Sequence, residues 1–215
     1  MLHLVIVTRN RSIYVKSLHI VMGLQAMCAA IGLPIDLTFV KDSNKEKMEL
    51  IKKKLKVADR LVWIDYGLSC DKESIKTFVM KYDGFNCIVL PSVKEGVDWD
   101  MFRKKVSANN TEPIGQMGLT FDTTVGKCIN KEEDFYTVTS TTPGIWAIDA
   151  KATLKKIKDK KSNGLTLPPT VDGFFELCLR KGVKVVAATR AQTFGHFTHE
   201  CVGNLMNMAG LKVSK

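Results

Sequence analysis

Residues 58–69 read Ala58-Asp59-Arg60-Leu61-Val62-Trp63-Ile64-Asp65-Tyr66-Gly67-Leu68-Ser69. Leu61, Val62, Trp63 and Ile64 form an unbroken apolar run between polar residues, the pattern of a strand buried on both faces of a sheet. The run stops at Asp65. In chains that alternate strands with helices, ligands bind at the carboxyl ends of the strands. A carboxylate at that point suits a divalent cation or a ribose hydroxyl. Gly67 then allows a sharp turn or a close backbone approach. Capping of the following turn is the plainer role for Asp65, and the stretch by itself does not choose.

On either side the same alternation continues. Residues 2–7 predict a first buried strand, followed by Thr8-Arg9-Asn10-Arg11 and a helix to about residue 31. Gly32 and Pro34 end that helix. Residues 35–40 predict a second strand that closes on Lys41-Asp42-Ser43-Asn44, where Ser43 and Asn44 are suited to cap a helix. Met48, Ile51 and Leu55 line its inner face, and the lysines at 52–54 are expected mostly on the solvent side. After the strand at 60–65, Ile75, Phe78, Val79 and Tyr82 recur at helical spacing, and residues 87–90 form a fourth strand ended by Pro91.

Beyond residue 92 the pattern blurs. A helix is expected from about 97 through 106, hairpin strands and loops over 111–126, a strand at 145–148 and a basic helix at 151–158. Asp172 opens a helix that Gly182 ends. Residues 183–188 are the last clear strand, and a terminal helix is expected in the tail that holds His196 and His199. The whole predicts a single α/β domain, a mixed and mostly parallel sheet flanked by helices in the Rossmann-like manner. The regular alternation spans 1–95 and the less regular pattern 96–215. A length of 215 residues suits one such domain.

Composition narrows the partners. Thirty-two Lys and Arg against 22 Asp and Glu leave a formal charge of +10, which favours polyanionic ligands such as nucleotides. A basic nucleic-acid-binding α/β protein is one reading of that charge, but the aromatic-basic interleaving of single-strand binders is missing, so nucleic acid is not the expected partner. Six scattered cysteines, with no Cys-x-x-Cys pair, argue against structural zinc and for a reducing compartment. No signal peptide or membrane-length apolar run is visible, and a cytoplasmic location is expected.

Three polar clusters follow three successive strands: Thr8, Arg9, Asn10 and Arg11; Asp42 to Asn44; and Asp65, Tyr66 and Gly67. In a parallel sheet these would converge on one crevice. Arginine there suits phosphate oxygens, and Asp42 and Asp65 suit base or ribose donors or a metal. Neither Gly-x-Gly-x-x-Gly nor a Walker lysine loop follows the first strand.

At these residues the chain resembles the nucleotide-sugar-dependent glycosyltransferases of the GT-A fold. Val5-Ile6-Val7-Thr8-Arg9-Asn10-Arg11 is similar to the opening strand and Thr-x-Asn-Arg turn of inverting members. Val40-Lys41-Asp42-Ser43 resembles their second strand, whose acidic residue reads the nucleobase. The stretch at 58–67 resembles the strand that delivers the Asp-x-Asp metal motif, Gly144-Ile145-Trp146-Ala147-Ile148-Asp149 the segment before the acceptor site, and the helix from Val171-Asp172 the one opening with the Glu-Asp catalytic motif. The likeness spans most of residues 2–190. Two departures stand out. The metal motif reads Asp65-Tyr66-Gly67 without its second carboxylate, and the Glu-Asp pair reads Val171-Asp172.

The resemblance implies a hexosyltransferase-like enzyme that moves a sugar from a nucleoside-diphosphate sugar to a glycan or glycoprotein acceptor. Asp172 would be general base. Mn2+ or Mg2+ would be held weakly by Asp65, with His199 as a late histidine ligand. Thr8, Arg9, Asn10, Arg11, Asp42, Asp65, Tyr66 and Gly67 would bind the donor. Asp172 also fits a helix cap. Trp99 and Trp146 suit either a sugar platform or the core. The missing carboxylate points to an alternative: a catalytically inactive relative that binds nucleotide or glycan.

Overall fold

A computed structural model describes residues 1–80, 84–130, 134–159 and 164–196. In chain order it contains β1 (Leu2–Thr8), α1 (Val15–Ala30), β2 (Ile35–Lys41), α2 (Asn44–Val57), β3 (Arg60–Ile64), β4 (Leu68–Cys70), α3 (Lys72–Val79) and β5 (Cys87–Leu90). Then follow α4 (Trp99–Ser107), β6 (Thr123–Asn130), β7 (Phe135–Thr141), β8 (Ile145–Asp149), α5 (Ala150–Ile157), α6 (Val171–Arg180), β9 (Val185–Ala188) and β10 (Thr193–Gly195). Among the described residues one eight-stranded sheet runs β2-β1-β3-β8-β5-β9-β7-β6, and β4 pairs with β10 in a small second sheet.

The expected mixed, mostly parallel sheet flanked by helices is what forms. Six of the eight strands point one way, and β8 and β7 oppose them. The strand–helix alternation did not disclose that β8 inserts between β3 and β5. Trp63 pairs with Trp146 across the first of these seams, and Val89 with Trp146 across the second. An antiparallel strand can reach this place because the long segment after β5 returns to it from the far edge.

Each central strand is apolar on both sides. Val5, Val7, Leu61 and Trp63 pack with α2, α5 and α6 on one face, whereas Leu4, Ile6, Val62 and Ile64 pack with residues of α1 and α3 on the other. That two-sided burial explains the continuous apolar run at 61–64. The rings of Trp63 and Trp146 stack at 5.4 Å and 6°, and Phe175 meets Trp146 edge-on at 5.3 Å. Trp146 is therefore core and not a sugar platform, whereas Trp99 is exposed.

Several local expectations are revised. The hairpin falls later than 111–126, as β6 and β7, with register shifts at three places along β6. Ser43 takes the N-cap position of α2 without a side-chain cap bond. Of the lysines at 52–54, expected mostly on the solvent side, Lys52 and Lys53 are exposed. Lys54 is buried, and its Nζ lies 2.8 Å from Asp36 Oδ2 and 3.0 Å from His3 Nδ1. Burial, reinforced by the Lys54 charge, holds the His3 pKa below its ordinary value. At α6 the cap is Thr170, whose hydroxyl accepts from Gly173 N at 3.2 Å, so Asp172 lies in the first turn instead of capping it. Tyr82 and the expected terminal helix fall outside the described residues. No described helix is long and apolar enough to cross a membrane.

Replacing Trp146 by Ala removes the shared surface of three rings from a fully buried layer. It should cost about 3–5 kcal/mol of stability, read from urea unfolding followed by circular dichroism. A loss near zero would show that this aromatic layer does not anchor the sheet.

Candidate functional site

The carboxyl ends of β1, β2 and β3 lie on one edge of the sheet. After β1, Asn10 and Arg11 both take left-handed backbone (φ 50° and 59°), and Ser12 N donates to Arg9 O at 2.8 Å. Positive φ at both central residues is the requirement of a tight primed turn. It folds the chain back so that the Arg9 side chain lies over the sheet edge. Arg9 Nε donates to Asp42 Oδ2 at 2.5 Å. Its two terminal nitrogens donate to Glu95 Oε1 and Oε2 at 2.7 and 2.6 Å, a bidentate fork. The guanidinium also sits 4.8 Å from the centre of the Tyr66 ring.

Asp42 follows β2, and its backbone N–H donates to Thr8 O at 3.0 Å, prolonging the β1–β2 ladder by one bond. Asp65 follows β3 and donates its N–H to Gly144 O at 2.7 Å. Lys47, one turn into α2, joins the two. Its Nζ lies 2.6 Å from Asp42 Oδ1 and 3.0 and 3.1 Å from Asp65 Oδ1 and Oδ2. Asp65 Oδ1 also accepts from Tyr66 N at 2.9 Å. The positive φ of Gly67 (73°) lets the chain leave the edge into β4.

Gly144 closes the far wall. A Cβ there would fall 2.1 Å from Leu68 Cδ1 and 3.5 Å from Asp65 Cβ, so a larger residue would require the buried Leu68 side chain to move. Buried Asp122 fixes the same wall. Its carboxylate accepts from Ser92 N (3.0 Å), Ser92 Oγ (2.8 Å), Thr123 Oγ1 (2.8 Å) and Gly144 N (3.1 Å). Together these residues surround a cleft of about 200 Å³.

Electrostatically the cleft is balanced instead of basic. Arg9, Lys47 and Lys94 face Asp42, Asp65, Glu95 and Asp122, three cations against four carboxyl groups. Burial opposes ionisation of Asp42, but Lys47 and Arg9 outweigh it and hold its pKa below the ordinary value. Glu95 is lowered chiefly by its bonds to Arg9. Burial wins at Asp65 and Asp122, whose values are raised. At Lys47 burial is outweighed by the Asp65 and Asp42 charges, and the ammonium is strengthened.

Of the expected site residues, Arg9, Asp42, Asp65 and Tyr66 line this cleft. Thr8 does not; its hydroxyl donates to Val40 O at 3.2 Å and ties β1 to β2. Asn10 and Arg11 form the exposed turn, and Gly67 shapes the backbone behind Asp65. Asp172 is exposed and does not line the cleft. His196 closes β10, with Nε2 2.6 Å from Ser69 Oγ and its ring stacked 5.4 Å from Tyr14. His199, expected as a metal ligand, lies outside the described residues. Asp65 was expected to be open to a cation, yet its carboxylate is engaged by Lys47. Among the described residues no group of three His, Cys, Asp or Glu is arranged to hold a metal ion. The described residues of this cleft therefore do not by themselves fit a divalent cation.

Sequence reasoning missed Lys47, Glu95 and Asp122. Lys47 had a signal: residues 47, 51 and 54 follow the i, i+4, i+7 spacing of the inner stripe of α2, which marks both Lys47 and Lys54 as inward lysines. Glu95 and Asp122 come from the irregular segment, where no periodicity exists to read.

Neither a protein-family model nor a curated protein matches this chain. Among solved structures it is similar to GalNAc-T7 with UDP, GalNAc and Mn2+, at 11% identity and a TM-score of 0.47 over 89% of this chain and 43% of that one. It is also similar to UDP-glucose pyrophosphorylase complexed with UDP-glucose, at 11% identity and a TM-score of 0.45 over 96% of this chain and 81% of that one. The chain thus spans less than half the length of the first. Likeness this distant assigns no activity.

Asp122→Asn places an N–H2 group against two of the four donors. It should destabilise the protein by about 1–3 kcal/mol in chemical unfolding; an unchanged midpoint would mean that the wall stands without it. The lowered values of Asp42 and Glu95 set a sign for pH. Their stabilisation is present at neutral pH and is lost as the pH falls through their folded-state values, below the ordinary carboxylate range. Asp42→Asn should therefore flatten the acid limb of a melting-temperature profile. A parallel profile for wild type and variant would remove Asp42 from that limb.

Proposed function

We propose that the chain is a nucleotide-sugar-dependent glycosyltransferase of the GT-A type, one domain whose 1–95 half holds the donor and whose 96–215 half serves acceptor and catalysis. The observation that carries this reading is the convergence of Arg9, Asp42 and Asp65, from the ends of three adjacent parallel strands, on one cleft. Asp122, Thr142 and Gly144 of the second half complete its wall. Carboxylates at strand ends accept from base N–H groups and ribose hydroxyls. The Arg9 fork, now filled by the exposed Glu95 carboxylate, matches two phosphate oxygens equally well. A donor diphosphate would take the place of Glu95 on Arg9.

The chemistry is a direct displacement. Asp172 takes the proton of the acceptor hydroxyl, whose oxygen bonds to the anomeric carbon of the donor sugar. The bond from that carbon to the diphosphate oxygen breaks, and the nucleoside diphosphate leaves with the electron pair. Arg9 offsets the charge that develops on the leaving group. Support for Asp172 is its exposed place in the first turn of α6. A second reading, a nucleotide- or glycan-binding protein without turnover, is favoured by the engagement of Asp65 with Lys47.

Calorimetry of the full chain against nucleoside diphosphates and their sugars tests the reading. Saturable binding is expected, and Arg9→Ala should weaken it about tenfold or more. Asp172→Asn should leave binding intact and cut release of nucleoside diphosphate about a hundredfold in the presence of acceptor. Binding without turnover in the wild type selects the second reading. No binding of any nucleotide defeats both.

A further inference from the structure

Lys47 stands where the electrostatics of this edge need a cation. Its Nζ is surrounded by three carboxylate oxygens, Asp42 Oδ1 at 2.6 Å and Asp65 Oδ1 and Oδ2 at 3.0 and 3.1 Å. Lys47 itself is only 7% exposed. Met48 and Ile51, its neighbours on α2, are buried in the core, which fixes the stem in place. The start of a helix is an unfavourable place for a cation, because the N-terminal dipole is positive. A lysine held there owes its place to its partners. Divalent cations coordinate oxygens at about 2.0–2.6 Å and need six or more of them. An ion using these same three oxygens would sit against the ammonium, so the two positive groups exclude one another.

We propose that Lys47 is the resident cation of this cleft, holding Asp42 and Asp65 together in place of a divalent metal, so that ligands bind here without one. The part concerning ligands rests on the proposed nucleotide-sugar reading; the part concerning Lys47 and the two aspartates does not. The consequence is a fixed single charge instead of an exchangeable double one. The cleft is thereby complete in the absence of metal, and its charge does not vary with metal supply.

The test uses Mn2+ alone, followed by the electron paramagnetic resonance signal of the free ion, on the full chain. Wild type should show no saturable site attributable to Asp65 up to about millimolar Mn2+, a weak-binding range. Lys47→Ala frees two neighbouring carboxylates and should create a site at least about tenfold tighter, lost again when Asp65→Asn is added. Lys47→Arg keeps the charge and should still exclude Mn2+, so it serves if the alanine variant does not fold. Tight Mn2+ binding by the wild type that Asp65→Asn abolishes would overturn the assignment, as would a folded Lys47→Ala protein that gains no site. In parallel, nucleoside diphosphate affinity should be the same within about twofold in EDTA and in Mn2+. A tenfold gain with Mn2+ would also overturn it. Failure of any nucleotide to bind, with Mn2+ still excluded, would defeat the functional reading and leave Lys47 in place.

Discussion

The Trp63–Trp146 stack across the β3–β8 seam is the contact on which the rest of the structure depends. It lies at the middle of the sheet, between the parallel pair β1–β3 and the strands that return from the second half of the chain. Phe174 and Phe175 of α6 close on Trp146 at 6.4 and 5.3 Å. One aromatic layer thus sets the register of β3 against β8 and the seat of α6 at once. Because β3 is fixed, Asp65 emerges at a defined height on the sheet edge. Because β8 is fixed, the Gly144 carbonyl is present to receive the Asp65 N–H. Core packing and site geometry are two ends of the same strands.

The halves of the chain differed in how far they could be read. Up to residue 90 strands alternate with helices, and β1, β3 and β5 carry nearly unbroken apolar runs, so the pattern located β1, β2, β3 and β5 within a residue or two. The convergence of Arg9, Asp42 and Asp65 followed from the strand ends alone. Pairing order was not legible, because β8 carries the same apolar run whether its neighbours are parallel or antiparallel to it. Nor were the short strands β4 and β10, three residues each, which pair mainly because the Asp65–Gly67 turn delivers one to the other. Lys47 and Lys54 were not singled out as inward lysines, because a lysine run suggests solvent. Spacing, not composition, separates Lys47 and Lys54 from their neighbours.

Bulk charge does not describe the cleft. A surplus of ten positive charges favours polyanionic ligands but locates no site. In the cleft two of the three cations are held by carboxylates: Arg9 by Asp42 and Glu95, and Lys47 by Asp42 and Asp65. Such a network resists rearrangement, since taking away one partner strands another in a partly desolvated place. A ligand must therefore offer groups that replace existing bonds one for one. That requirement favours ligands rich in both donors and acceptors over simple anions.

The far edge of the sheet has a different consequence. β6 is exposed along most of its length and has no neighbour on its outer side among the described residues. A straight edge of that kind would offer a ladder of free amides and carbonyls to any other extended chain. Here the pairing with β7 slips at three places, and Lys127 stands in the middle of the strand. The slips twist the backbone, and no stretch of regular edge remains long enough to template a second strand. The irregularity that displaced this hairpin from its expected place also interrupts the ladder that edge-to-edge pairing requires.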